Sequence, residues 1–247
     1  MKVSLFKLGF SLAVAFTVFS CFYYDKETND SSGNEENNPN TGNEENNPNS
    51  NGENNPIVSG GTFTDSRDGR VYRYVTINDQ TWMAENLNYA ANGSKCGNGD
   101  YLTDANTTSC NTYGRLYIWE MANTVCPSGW RLPSDDDWDV LMKSVNPNCS
   151  PKSEQCPSAG KLLKASNGWN NSGNGTDAYG FSALPGGYSQ GTYFKDVGYR
   201  GYWYSSSYCS SLVCYRTIFH DYDSVFRSPS GKDVWFSVRC IKGQGQE

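Results

Sequence analysis

The cysteines constrain the fold of this chain more than any other feature, because each disulfide fixes two separate stretches of backbone against each other. The 247 residues include nine cysteines, one at position 21 and eight between positions 96 and 240. An odd count leaves one thiol over in an exported protein, and assigning Cys21 to another purpose leaves an even set. Four disulfides in an oxidising compartment are therefore the economical interpretation.

The pairing of these eight cysteines follows if nearest neighbours join. Three short bridges then form, and the remaining two cysteines make a fourth: Cys96–Cys110, Cys149–Cys156, Cys209–Cys214 and Cys126–Cys240. Zinc binding is the competing use, but no pair has Cys-x-x-Cys spacing and His220 is the only histidine. The fourth bridge would join the middle of the domain to its last strand.

The first twenty residues have a short basic start and an apolar run at 8–19, which suits an export signal and is too short to span a bilayer comfortably. Residues 18–21, Val-Phe-Ser-Cys, resemble a bacterial lipobox, which implies cleavage before Cys21 and its acylation. Phe22 replaces the Asp that usually retains lipoproteins in the inner membrane. The resemblance thus implies a lipid-anchored protein of the outer membrane at the cell surface; export without lipid is the alternative.

Residues 21–56 are predicted to form a disordered tether. They carry eight acids and one lysine, repeat Gly-Asn-Glu-Glu-Asn-Asn-Pro-Asn at Gly33 and Gly42, and have almost no apolar residue to bury. Residues 57–247, the predicted folded domain, hold eighteen acids and seventeen lysines or arginines. A nearly neutral domain gives no electrostatic reason to expect a nucleic-acid partner.

Within the domain, one helix is well specified. Ser134 can cap it and forms a capping box with Asp137, while an apolar stripe at helical spacing faces inward. The stripe comprises Trp138, Leu141, Met142 and Val145. The three consecutive acids at 135–137 are interpreted as a solvated first turn, because neighbouring residues on a helix diverge and do not converge on one metal ion.

Strands and turns account for much of the remaining pattern. Alternation at 71–77, a turn and a return at 80–83 predict a hairpin. Three closing strands and two further short helices are also predicted: strands at 201–208, 214–221 and 234–240, and helices in the second half of 113–122 and at 159–165.

Five segments in order closely resemble the Fibrobacter succinogenes major paralogous domain, over about residues 65–242. They are 78–89, 126–138, 180–187, 201–206 and 236–240. That family occurs on lipoproteins and secreted proteins, and its molecular function is essentially unassigned. Residues 131–138 and 237–240 are also distantly similar to the formylglycine-generating fold. This second resemblance implies an α+β, C-type-lectin-like domain in which a small twisted antiparallel sheet is flanked by helices.

The formylglycine-generating enzymes work through a copper-binding cysteine pair, for which Cys209 and Cys214 are the nearest candidates here. An even set of eight cysteines favours a structural disulfide over a redox pair. His220 lies beside Asp221, yet no Gly-x-Ser-x-Gly motif supplies a nucleophile for a Ser-His-Asp arrangement. The sequence therefore indicates no catalytic residue and favours a non-enzymatic role over an enzymatic one.

Carboxylates are the next candidates for catalytic or metal-binding residues. Two of them about 5–9 Å apart permit glycoside hydrolysis, but Glu85, Glu120 and Asp177 are scattered along the chain. Residues 170–177 could supply oxygen ligands to calcium, as loops of C-type-lectin-like domains do. With one carboxylate and no Asp-x-Asp-x-Asp-Gly pattern, a turn is the favoured interpretation. We expect no metal or other cofactor, with calcium as the alternative.

Aromatic residues are the strongest binding signal, since flat rings stack on sugars and hydroxyls add directional contacts. Period-two alternation places Tyr202 and Tyr204 on one face of a strand and Trp203 on the other. Four tryptophans are predicted in the core: Trp82, Trp138, Trp203 and Trp235. Three tyrosines are predicted to be exposed in a Gly-rich loop and to bind ligand: Tyr188, Tyr193 and Tyr199.

The sequence thus predicts a surface-displayed binding module for cell-wall or plant polysaccharide, with the membrane as a second partner through Cys21. Two alternatives remain open. One is an enzyme of the formylglycine-generating type, and the other is a structural or protein-interaction domain.

Overall fold

A computed structural model describes residues 58–96 and 107–243. Thirteen strands and four helices lie in this part of the chain. The strands are β1 Val58–Thr64, β2 Val71–Ile77, β3 Gln80–Met83, β4 Leu116–Tyr117, β5 Trp130–Arg131, β6 Gln155–Cys156, β7 Gly186–Gln190, β8 Tyr193–Val197, β9 Arg200–Cys209, β10 Leu212–Phe219, β11 Val225–Ser230, β12 Val234–Ser237 and β13 Ile241–Lys242. The helices are α1 Thr107–Tyr113, α2 Trp119–Ala122, α3 Asp135–Val145 and α4 Ala159–Leu163. The predicted signal segment, Cys21 and the tether lie outside the described residues.

The predicted α+β, C-type-lectin-like fold is wrong, because the domain is built mainly of β-sheet. Helix α3 has 11 residues, but α1, α2 and α4 have only 7, 4 and 5. Helices of one or two turns cannot flank a sheet as a layer, since each covers little of its surface. The distant similarity of residues 131–138 and 237–240 to the formylglycine-generating fold therefore gave a misleading expectation for the whole architecture.

The smaller sheet is antiparallel and has the order β1-β2-β3-β13-β5. Strands β2 and β3 form the predicted hairpin, with Val75 opposite Trp82. The C-terminal strand β13 lies between β3 and β5, because Ile241 pairs with both Trp82 and Arg131. The end of the domain is therefore held inside a sheet whose other strands come from its beginning and middle.

The larger sheet has the order β6-β11-β10-β9-β12-β7-β8, and β4 pairs separately with β12. Its centre is the β9–β10 hairpin, which corresponds to two of the predicted closing strands. Strand β12 pairs parallel with β9 at Ser237 and Trp203, whereas the neighbouring pairs β9–β10 and β7–β12 are antiparallel. Strand β11 was not predicted, because Ser228, Pro229 and Ser230 interrupt its apolar pattern.

Strand β9 separates two hydrophobic clusters, as the alternation predicted. Trp203 lies in one cluster with Trp82 and Trp138. Tyr202 and Tyr204 lie in the other. The predicted core position of Trp235 is wrong: its indole is only partly buried, and the ammonium of Lys95 lies 3.7 Å from the ring centroid. Because both faces of the larger sheet are buried at β9, Tyr202 and Tyr204 lie in the interior as Trp203 does.

Four disulfides join the pairs that the nearest-neighbour argument predicted. Cys126–Cys240 connects residues 114 positions apart and fastens the segment before β5 to the segment before β13. In the chain-entropy view this long loop is the largest restriction on the unfolded state, on the order of 4–5 kcal/mol.

Helix α3 begins as predicted but its acids do not all face water. Ser134 caps the helix in a complete capping box with Asp137. Asp135 is only 3% exposed, and its carboxylate pairs with Arg216 at 2.5 Å and Arg227 at 2.8 Å. Burial alone would raise the pKa of Asp135, but hydrogen bonds and charge from both arginines outweigh it and lower the pKa. The prediction of a solvated first turn is therefore wrong for Asp135.

Arg239 is fully buried. We term this side chain and its hydrogen-bond partners the Arg239 centre. Its guanidinium donates to Asn86 Oδ1 at 2.8 Å, to the Ser182 carbonyl at 3.1 Å and to the Phe181 carbonyl. The indole of Trp203 donates to the same Asn86 oxygen at 2.8 Å. Burial lowers the pKa of Arg239 to about 9. Four of the five segments that carry the family resemblance therefore meet at one buried side chain.

Candidate functional site

A cleft of about 240 Å³ opens on the larger sheet, and we term it the aromatic cleft. Strands β7, β9, β10 and β12 each contribute one ring to it. Its lining residues are Tyr188, Asp196, Arg200, Tyr202, Tyr215, Ser230, Val234 and Phe236. Because four strands meet here in sheet order β10-β9-β12-β7, residues distant in sequence form one surface.

The rings of the aromatic cleft form a packed group. Tyr202 and Phe236 stack with centroids 5.2 Å apart and planes 7° from parallel. Tyr215 lies 4.8 Å from Phe236, and Tyr188 meets Tyr202 edge-on at 5.3 Å. Tyr202 and Phe236 are buried, whereas Tyr188 and Tyr215 are partly exposed. The two inner rings therefore hold the two outer rings in place, and the outer rings offer surface to a ligand.

A polar edge lies beside the rings. The Tyr202 hydroxyl donates to Asp196 Oδ2 at 2.6 Å, and the Arg200 guanidinium lies 3.5 Å from the same oxygen. Burial raises the pKa of Tyr202 far above its ordinary value, and the charge of Asp196 raises it further. The hydroxyl therefore stays protonated as a donor, while Asp196 and Arg200 retain hydrogen-bonding capacity toward a ligand.

The β7–β8 hairpin places Asp196 through an unusual backbone. In this hairpin Gly186 pairs with Val197, and Tyr188 pairs with Lys195. Between these pairs, Gly187 and Asp196 both have φ of 65°. A side chain at Gly187 would collide with the Lys195 carbonyl, so the glycine is required. A left-handed Asp196 at a candidate site is a strained position that the surrounding hairpin maintains.

The three predicted ligand-binding tyrosines do not come together. Tyr188 lies in β7 and lines the aromatic cleft. Tyr193 is 54% exposed in β8, and Tyr199 is 42% exposed in the β8–β9 turn with its ring 5.2 Å from that of His220. Neither lines the cleft. The predicted Gly-rich loop is a β-hairpin at this point.

Sequence reasoning did not select the other residues of the cleft. Tyr202 and Tyr215 belong to an aromatic-rich region of the sequence, but no pattern indicates that β10 and β12 both pair with β9. Asp196 and Arg200 flank a turn and carry no motif of their own. The four-residue spacing of these opposite charges was the available signal.

Two of the three carboxylates considered from the sequence are bonded to neighbouring residues. Glu85 pairs with Arg73 at 2.7 Å, and the Asp177 carboxylate accepts from Ser182 N at 2.6 Å and Ser182 Oγ at 2.5 Å. Glu120 is exposed on α2. The carboxylates of Glu85 and Asp177 therefore already have hydrogen-bond partners within the domain.

Residues 170–177 fold as a loop held by its own polar groups. Asn174 Oδ1 accepts from Trp169 N at 3.0 Å, and the Thr176 N–H donates to the Lys161 carbonyl at 2.9 Å. Asn174 Oδ1 and the Asp177 carboxylate, which are oxygens that the loop could offer to calcium, therefore already accept hydrogen bonds.

The candidate redox and nucleophilic groups are also accounted for. The sulfurs of Cys209 and Cys214 are bonded to each other and lie within 4.8 Å of an Asp135 oxygen. His220 Nδ1 is 3.5 Å from Asp221 Oδ1, and this nitrogen makes no hydrogen bond within the described residues. No serine hydroxyl is hydrogen-bonded to the His220 ring in the described part of the chain.

A second cavity of about 220 Å³ adjoins the Arg239 centre and is lined by Arg70, Arg73, Glu85 and Asn86 among others. Asn86 donates to the Tyr113 carbonyl at 2.8 Å and accepts from Trp203 and Arg239. Glu85 and Arg73 pair with each other. The aromatic cleft is the better candidate site, because it combines partly exposed ring surface with its polar groups.

The fold and the cleft define the class of protein: a β-sheet domain with four disulfides and an aromatic, partly charged cleft. The family model described as the Fibrobacter succinogenes major domain matches residues 75–242, and the chain belongs to that family. The resemblance to this family inferred from the sequence is thereby confirmed. Neither a search of curated proteins nor a search of solved structures finds a match. Among the described helices, none has both the length and the apolar character needed to cross a bilayer.

Proposed function

We propose that the protein is a surface-displayed binding module that recognises a polysaccharide of a cell wall or plant through the aromatic cleft. The observation that carries the proposal is the combination of four packed rings with a carboxylate and a guanidinium at their edge. Flat rings bind the apolar faces of sugars, while charged groups bind hydroxyls with defined direction.

In this proposal the two outer rings contact the sugar. Tyr188 and Tyr215 offer ring surface, and the buried Tyr202 and Phe236 keep those rings from rotating away. Asp196 accepts hydrogen bonds from sugar hydroxyls, and Arg200 donates to sugar oxygens. A site held rigid before binding loses less entropy when the ligand arrives.

Membrane attachment belongs to the same proposal. The Val-Phe-Ser-Cys sequence at 18–21 supports acylation of Cys21, and the acidic residues 22–56 would serve as a flexible spacer. Four disulfides support folding in an oxidising compartment. The placement we propose is the outer membrane with the domain at the cell surface. Metabolic labelling with a fatty acid, compared between the wild type and Cys21→Ala, tests the acylation on which this placement depends.

Binding to a panel of insoluble and soluble polysaccharides tests the function. We expect retention of the wild type on at least one polymer and roughly tenfold weaker binding by Tyr188→Ala, because an aromatic contact contributes about 0.5–1.5 kcal/mol beyond its buried area. Tyr193→Ala is the matched control, since Tyr193 lies on the same hairpin outside the cleft. Equal loss in both variants, or no retention on any polymer, would contradict the proposal.

A further inference from the structure

A second aromatic surface lies at the far end of strand β9. The rings of Trp119 and Tyr208 have centroids 5.3 Å apart, and Tyr208 is 52% exposed. The Trp119 indole donates to the Ser205 carbonyl at 2.9 Å, which fixes the orientation of that ring. We term this pair with Lys232 the distal platform.

Lys232 gives the distal platform a positive charge. Its ammonium lies 4.7 Å from the Trp119 centroid and 5.0 Å from the Tyr208 centroid. In the part of the chain that the structure describes, no ion pair reaches Lys232. Lys232 is exposed. The backbone N–H of Trp119 donates to the Lys232 carbonyl at 3.1 Å, so the backbone of Lys232 is held against α2. Cation–π attraction therefore holds the ammonium above the rings while its solvent side can still donate.

The distal platform and the aromatic cleft share one face of the sheet. Tyr202 and Tyr204 belong to the hydrophobic cluster against which Trp119 of the platform packs. Tyr204 is buried beneath the β11–β12 turn, and its hydroxyl donates to the Val234 carbonyl. Tyr202 emerges in the cleft on one side of that turn and Tyr208 on the other. Six residues of regular strand span about 20 Å, and the irregularity in the β9–β10 pairing between Tyr204 and Tyr208 shortens this distance. The two surfaces therefore lie within the length of one short oligosaccharide.

We propose that the distal platform is a second subsite that binds a carboxylated sugar of the same polysaccharide chain. The inference rests on the proposed function and narrows its substrate class to acidic polysaccharides that contain uronic acids. A sugar ring would stack on Trp119 or Tyr208 while its carboxylate accepts a charge-assisted hydrogen bond from Lys232. Two subsites on one polymer raise the effective affinity without further contacts at either one.

Affinity electrophoresis of the full-length protein in gels containing polygalacturonate, or its fully methyl-esterified and therefore neutral form, tests the inference. The variants are Lys232→Gln and Trp119→Ala. The matched control is Lys143→Gln, which removes an exposed lysine from α3. Near-ultraviolet circular dichroism of each variant verifies its tertiary packing.

We expect the wild type to bind polygalacturonate more tightly than the ester, with the preference declining as salt rises. Lys232→Gln should weaken binding to the acidic polymer about three- to fivefold and leave the neutral polymer unchanged. Trp119→Ala should weaken both, and Lys143→Gln neither.

Two outcomes separate this inference from the proposed function. Equal binding to both polymers, or an acid preference that survives Lys232→Gln, overturns the distal subsite while the aromatic cleft stands. Failure to bind either of these polymers overturns the acidic-substrate inference, and failure across the wider polysaccharide panel overturns the proposed function as well.

Discussion

The Arg239 centre and the aromatic cleft are built from different parts of the sequence. Arg239 gathers Asn86, Phe181, Ser182 and Trp203, all of which lie in the segments that carry the family resemblance. In the cleft, only the buried Tyr202 and Phe236 come from such segments. Its remaining lining residues lie outside them: Tyr188, Asp196, Arg200, Tyr215, Ser230 and Val234.

This contrast indicates what family membership can and cannot convey. The five segments that carry the resemblance hold the residues that join the two sheets, the capped helix and the long-range disulfide. The residues that would touch a ligand are supplied by intervening strands and turns. A resemblance carried by these segments therefore indicates the architecture without naming a ligand.

The largest effect is expected at the Arg239 centre. Arg239→Met keeps most of the side-chain volume but removes the donors to the Phe181 and Ser182 carbonyls, which would then be buried without partners. We expect a loss of about 3–5 kcal/mol in the free energy of unfolding, measured by urea denaturation. Arg73→Met, at an exposed ion pair, should cost less than about 1 kcal/mol. Equal losses would remove the distinction between core and surface.

The buried ion network at the start of α3 should give an intermediate and pH-dependent effect. Asp135→Asn removes a negative charge that faces Arg216 and Arg227, at an expected cost of about 2–3 kcal/mol near pH 7. The pKa of Asp135 is lower in the folded state than its ordinary value of 3.8. The unfolded chain therefore takes up the proton first as pH falls, and the stabilisation is lost through and below this value.

Urea denaturation of the wild type and Asp135→Asn across pH 2–7 measures this dependence. The two stabilities should converge as the pH falls below the ordinary pKa of Asp135, because the wild-type carboxyl also becomes neutral. Asp136→Asn is the control, since Asp136 is exposed and pairs only with an exposed Lys152. A constant difference between wild type and Asp135→Asn at all pH values would contradict the electrostatic explanation.

Local signals predicted local structure well. The capping box at Ser134, the β2–β3 hairpin and the opposite faces of Tyr202 and Trp203 follow from spacing alone, since each depends on residues a few positions apart. The disulfides followed from pairing nearest neighbours along the chain, which left Cys126 for Cys240. These features needed no knowledge of which strand lies beside which.

Contacts between residues far apart in the chain were not predicted from the sequence. Asp135 looked solvated because its partners, Arg216 and Arg227, are more than 80 residues away in the chain. The α+β expectation failed because it came from a resemblance over two short segments, which says nothing of the helices elsewhere, and three of the four described helices are too short to form a layer. The cleft was missed because it depends on the order β10-β9-β12-β7, in which a parallel contact joins β9 to β12.

The smallest effect on stability is expected at the cleft, where function should change most. Arg200 is exposed and pairs with Asp196 across 3.5 Å, so Arg200→Gln should cost less than about 1 kcal/mol in unfolding free energy. Because Arg200 lines the aromatic cleft, the same variant should bind polysaccharide about three- to tenfold more weakly. Measuring both quantities on one preparation compares stability with binding directly. A large loss of stability with unchanged binding would show that Arg200 has a structural role, and it would contradict the proposal that Arg200 binds the ligand.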